Sequence, residues 1–237
     1  MGPTGGSRSP ADRSRRERAL VSPLRTLVAL LVMAALVLGA VAIAPTVLDE
    51  LGEGPTPIAS ESPPPAGERE PAEPHPGDPG NSSYDGPPTV DAADVEAFIH
   101  HEVNDRRADR DLAAIEWDAT VASVSRAHSA DMHERDYFDH DNPDGQSPYD
   151  RFQEVAGYCR TYGENLAMTW IDRDIAGEDG DRHRTAEDVA VGVVEQWMDS
   201  PPHREAMFEE NWDRGGVGVY LGDDGKVLAT HNFCTEW

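Results

Sequence analysis

The sequence predicts an α+β domain in residues 91–237, set behind an apolar span and a proline-rich linker. Three observations predict it. Apolar residues recur at helical spacing in three stretches, two of them opened by capping residues. An alternating, glycine-rich hairpin closes the chain. Composition changes at about Asp91, from proline, glycine and acid to amphipathic segments. Helices gathered around a small antiparallel sheet make an α+β class.

The first ninety residues supply no core. Six arginines between Arg8 and Arg25 precede an uncharged run from Thr26 to Leu48. Roughly 20 apolar residues span a bilayer, and a secretory leader needs only about 7–15. Ala42 and Ala44 form an A-x-A pattern. Cleavage after it would place Pro45 first in the mature chain, which favours an uncleaved anchor over a cleaved signal peptide. Basic residues before the span and Asp49, Glu50 and Glu53 after it put residues 1–25 in the cytoplasm and the remainder outside. Residues 49–90 hold 11 of the 19 prolines and are expected to form a disordered acidic stalk.

The folded elements follow in order. Val95, Phe98, Ile99 and Val103 mark a helix to about Arg107. Asp118 caps a second, with Val121, Val124, Ala127, His128 and Met132 on its inner face. Thr185 and Asp188 read as a capping box before a third helix bearing Val189, Val193, Val194, Trp197 and Met198. Ser200 and Pro201 cap and open a short fourth. Residues 215–233 alternate about a turn containing Asp223, Asp224 and Gly225, a hairpin by pattern.

Charge narrows the function. The chain carries 45 acidic against 20 basic residues, a formal -25, of which residues 91–237 hold -21; Lys226 is its single lysine. Nucleic acid needs a basic face, and none is visible. Self-repulsion of this size is expected to be relieved at molar salt, where the Debye length is ~3 Å, so the composition points to a halophilic setting. Cys159 and Cys234 are too far apart for a CxxC motif. They are expected to pair outside the cytoplasm, closing a loop worth ~4–5 kcal/mol in chain-entropy models, with two buried free thiols as the alternative. The acidic loop from Asp172 to Asp181 lacks EF-hand form and reads as solvated surface.

Several motifs then resemble the CAP (SCP/PR-1-like) superfamily of bacterial and archaeal type. Asn104-x-x-Arg107, Trp117-Asp118 and Ala127-His128…Asp131-Met132 are similar to its opening. Phe138-Asp139-His140 with Pro143 to Arg151 resembles its histidine loop, and Tyr162-Gly163-Glu164-Asn165 its G-E-N strand. Trp197-Met198-Asp199-Ser200-Pro201-Pro202-His203-Arg204 looks like its helix turn, and residues 215–233 like its last hairpin. Asp111, Asp199 and Pro202 depart from the usual Gly, Asn and Gly. The resemblance covers the domain alone and implies an α-β-α sandwich.

The resemblance also implies a cleft to which His140, Glu164 and His203 contribute. Two imidazoles and a carboxylate suit a divalent metal, Zn²⁺ first, or act as general acid and base. Glu195 and Asp199 are second-rank acids; where eukaryotic relatives have a further acid and a hairpin histidine, this chain offers Asp199 or Ser200 and then Leu228. Each residue has a plain structural alternative as a loop brace or cap. Neither Ser147 nor Ser200 lies in a G-x-S-x-G turn, and no H-E-x-x-H helix exists. The expected function is therefore a membrane-anchored binding module for a metal, lipid or envelope component, with a metal-dependent hydrolase of envelope peptides or glycans as the alternative. His75, His100 and His101 receive no role.

Overall fold

In a computed structural model of the protein, the described residues are Ser62, Pro64, Gly67, 74–157, 159–173 and 182–236. The expected anchor at 26–48, much of the expected stalk and most of the 172–181 loop lie outside them. Among the described residues no helix is long and apolar enough to cross a membrane.

A two-stranded ribbon, β1 (Ser83–Tyr84) and β2 (Val90–Asp91), leads into α1 (Ala92–Ala108). The Asp91 side chain accepts from the Ala93 amide and caps that helix. After β3 (Glu116–Trp117), Asp118 caps α2 (Ala119–Glu134) by accepting from the Val121 amide. A helix without a sequence-level expectation, α3 (Pro148–Gln153), starts from a Ser147–Asp150 capping box and follows the histidine loop. β4 (Thr161–Trp170) comes next, then α4 (Ala186–Asp199), opened by the expected Thr185–Asp188 box. The short α5 (Pro201–Met207) begins at Pro201, but the Ser200 side chain makes no capping bond. Proline's fixed φ at the first helical position starts that turn without it. β5 (Arg214–Leu221) and β6 (Lys226–Thr235) form the expected hairpin, turning through Gly225 at φ +81°.

The sheet order is β3-β5-β6-β4, with β4 antiparallel along one edge and the two-residue β3 parallel along the other. Alternation sorts its side chains onto two faces. Val217, Val219, Val227, Ala229 and Phe233 meet Val95, Ile99 and Val103 of α1 and Val189, Val193 and Trp197 of α4 in one core. The opposite face belongs to α2, and it packs unusually close. A Cβ on Gly216 would fall 2.1 Å from the Ala122 nitrogen, and one on Gly218 would fall 2.0 Å from the Arg126 nitrogen. Absent side chains let Ser125 and Ser129 donate to the Gly216 and Gly218 carbonyls at 2.7 and 2.9 Å. Cys159 and Cys234 are disulfide-bonded, with Cα atoms 5.5 Å apart, beside Val121, Val124 and Phe152 on this face.

One boundary shifts. The stalk was expected to run free to residue 90, yet the chain from Pro74 onward packs on the domain. The His75 amide donates to Ser123 Oγ at 2.9 Å, and Asp78 pairs with Arg126 at 3.0 Å. Proline, glycine and acid give this segment a linker's composition, but single buried side chains hold it down.

Candidate functional site

Strand β4 lies at the sheet edge, beyond the strands that α2 covers, so its face on that side is left to the loops around it. Tyr162 and Leu166 both pack on the α2 face, and by alternation Glu164 stands between them on that face. Its side chain is 3 % exposed. A buried carboxylate must be matched by charge and hydrogen bonds, and two elements supply them. Arg151, from α3, donates through Nη2 to both carboxylate oxygens, at 2.8 and 3.1 Å. His140, from the loop before α3, places Nδ1 2.9 Å from Glu164 Oε1. Arg151 also ties down that loop, donating to the His140 carbonyl from both terminal nitrogens at 3.0 Å.

Beneath the carboxylate lies a second imidazole. His128, from α2, has Nε2 3.0 Å from the Asp139 carbonyl and 3.9 Å from Glu164 Oε1. A carbonyl can only accept, so Nε2 carries the proton of the neutral ring. Tyr137 closes the group by donating to Asp131 at 2.6 Å.

These contacts set the charges. Burial alone would raise the Glu164 carboxyl; the bond from His140 and the charge of Arg151 outweigh it and hold the group below the ordinary range. The same bond, donated to Glu164, raises His140, whose side chain is 48 % exposed, so the imidazolium form is favoured at the mouth of the cleft. Burial pushes His128 down to about 4 and keeps it neutral. His203 is lowered by burial and then by the charge of His140. One accessible histidine is thus biased toward the charged form and another toward the neutral form.

Of the three residues expected to converge, His140 and Glu164 touch. His203 is tied nearby through its backbone, its carbonyl accepting from Asn165 Nδ2 at 2.9 Å. Among the described residues no three His, Cys, Asp or Glu side chains are placed to hold one metal ion. The donor set does not suit a dication: Arg151 already supplies the cation to both Glu164 oxygens, and a metal there would face a guanidinium. Glu195 pairs with Arg106 of α1 at 2.9 Å, Asp199 is exposed at the end of α4, and Leu228 is buried against Met132 and Leu166. Sequence reasoning missed the central part of Arg151 and placed His128 merely on a core face. The signal was present in the spacing, since Arg151 follows His140 by eleven residues at the close of the motif that contains both.

A family model described as the cysteine-rich secretory protein family, CAP, matches residues 100–235, more than half of the chain. The chain belongs to this family. Among curated relatives, the uncharacterized membrane protein YlbC of Bacillus subtilis is 33% identical over 131 residues, 55% of this chain and 32% of that protein. The uncharacterized protein YkwD of the same organism is 30% identical over 138 residues, 58% of this chain and 46% of that protein. The chain therefore spans less than half the length of these relatives. An extracellular SCP-domain protein of Bacillus anthracis has a crystal structure with TM-score 0.50 at 27% identity, covering 61% of this chain and 41% of that one. An outer surface protein of Borrelia burgdorferi shares the fold at TM-score 0.52 and 18% identity, covering 66% and 99%.

Proposed function

We propose that the CAP domain is an extracytoplasmic binding module, held to the membrane by residues 26–48, whose cleft recognises an envelope component without turning it over. One observation supports this reading above the others. Glu164, the acid expected to activate water or hold a metal, has both oxygens engaged by Arg151 and one also by His140. A carboxylate held in this way braces the cleft and is a poor base. The groups left to meet a ligand are the half-exposed His140 and the neutral His203, two imidazoles of unequal charge. The Cys159–Cys234 disulfide fits an oxidising compartment, as do the membrane and extracellular descriptions of the relatives.

The test uses the full chain extracted from its own membranes. N-terminal sequencing is expected to find no start near Pro45, and protease added to intact cells is expected to release the domain. Mass spectrometry of the purified protein is expected to return a bound envelope molecule that is lost in the His140→Ala, His203→Ala variant. Chelator-sensitive hydrolysis of envelope peptide or glycan would replace this reading with the hydrolase one.

A further inference from the structure

The family match begins at residue 100, inside α1, yet residues 74–82 upstream of it are built into the domain. Arg126 of α2 bridges Asp78 of this segment and Glu96 of α1 at 3.0 and 2.9 Å, with side-chain exposures of 8%, 8% and 1% for the three residues. Such a buried triad fixes the segment against two helices. His75 lies at its upstream end, buried against α2. The Gly77 amide donates to His75 Nδ1 at 3.1 Å, so the neutral ring has its proton on Nε2. That atom faces Glu154 Oε2 at 3.3 Å, an electrostatic contact rather than an aligned hydrogen bond.

We infer that residues 74–82 are a supporting strap for the binding cleft, and that His75, acting through Glu154, positions the loop bearing His140. The path is continuous. Gln146 Nε2 donates to Glu154 Oε1, and Gln146 Oε1 accepts from Asn142 Nδ2 at 2.9 Å. Asn142 organises the turn, its Oδ1 accepting from the Asp144 and Gln146 amides at 3.0 and 2.9 Å. The Gln146 carbonyl accepts from Arg151 Nη1 at 3.3 Å, and Arg151 in turn holds the His140 carbonyl and Glu164. The Asp141–Gly145 stretch, exposed except at the half-buried Asn142, holds its shape through these polar bonds. Glu154, just past the end of α3, is where they meet the strap.

The importance of this support for ligand capture rests on the binding reading above, but the test needs no ligand, so the two fail separately. Amide hydrogen exchange of the full chain is followed at Asn142, Gly145 and Gln146 and, as a global reference, at β6. His75→Phe keeps the bulk and removes the ring nitrogens. It is expected to speed exchange in the turn severalfold, the scale of one partly exposed electrostatic contact, and to leave β6 unchanged. His75→Gln, which restores a donor toward Glu154, is expected to return the turn to its original rate. Glu154→Ala, at a site 41% exposed, is expected to reproduce the fast turn without threatening the fold. Unchanged turn exchange in Glu154→Ala would overturn the inference. So would equal acceleration of turn and β6 in His75→Phe, which would make the strap a global brace only.

Discussion

Arg151 and Glu164 form a buried, two-pronged ion pair at the open edge of the sheet, each side chain 3% exposed. Removing one partner of such a pair strands the other in a poor solvent, which costs about 3–5 kcal/mol. Arg151→Met is therefore expected to destabilise the domain by that amount in denaturant titrations. The double variant Arg151→Met, Glu164→Gln is expected to recover most of it. A single variant within about 1 kcal/mol of the parent would show that the pair is not desolvated as described.

Acid should begin to weaken the fold near the ordinary histidine pKa. His128 has a folded pKa of about 4 against 6.5 in the open chain. As pH falls through 6.5 the unfolded chain takes up a proton that the folded chain refuses until about 4, so stability drops across that window by about 3 kcal/mol. His75, His203 and His231 are also lowered and act in the same direction. His140 opposes them: its contribution is present below 6.5 and fades as pH rises through its raised pKa. Denaturation midpoints measured from pH 7 to pH 4.5 are expected to fall in the parent and to fall less in His128→Gln. Parallel curves would remove His128 as the cause.

Gly216 and Gly218 are expected to tolerate nothing larger than hydrogen. An alanine methyl at either would sit about 2 Å from helical backbone, and α2 cannot yield without breaking the Ser125 and Ser129 bonds. Gly216→Ala and Gly218→Ala should each lower the thermal midpoint by several degrees or abolish expression. Gly80→Ala, with no atom near its added methyl, is the comparison; strain at its φ of +75° is the sole cost there. Equal midpoints for Gly216→Ala and Gly80→Ala would show that α2 can lift off the sheet.

Salt is expected to stabilise the domain. Residues 91–237 carry a formal -21, and their repulsion is screened as the Debye length falls to ~3 Å at 1 M. The thermal midpoint should climb with KCl and then level off. A flat response from dilute to molar salt would mean that the acidic surface costs the fold nothing.

Where periodicity and capping act locally, the fold was legible. Val95, Ile99 and Val103 announced α1, and Asp118 and Thr185 announced the starts of α2 and α4, because each signal lies within a few residues of its effect. The hairpin was equally plain. His140 and Glu164 were placed through motif resemblance, and their contact follows from it. The role of Arg151 was hidden, because one arginine in an acidic loop looks like surface until its partner is known to be buried. His75 and Asp78 were hidden for a related reason: their partners Glu154 and Arg126 lie far along the chain, and no repeat or run marks a strap held at two points.

The disulfide has a mechanical corollary. It joins the approach to edge strand β4 to the end of β6, a separation of 75 residues. A tether that pulls on the domain from its N-terminal side can therefore stretch the chain only as far as Cys159 before the load jumps through sulfur to Cys234. The cleft residue Glu164, β4 and β5 all lie within the bypassed segment. Reduction would add up to about 260 Å of extensible chain at full reach. Oxidised, the covalent path of the load runs through the strap, α1 and α2 and then across the disulfide, so the segment that holds Glu164 and His203 is spared extension.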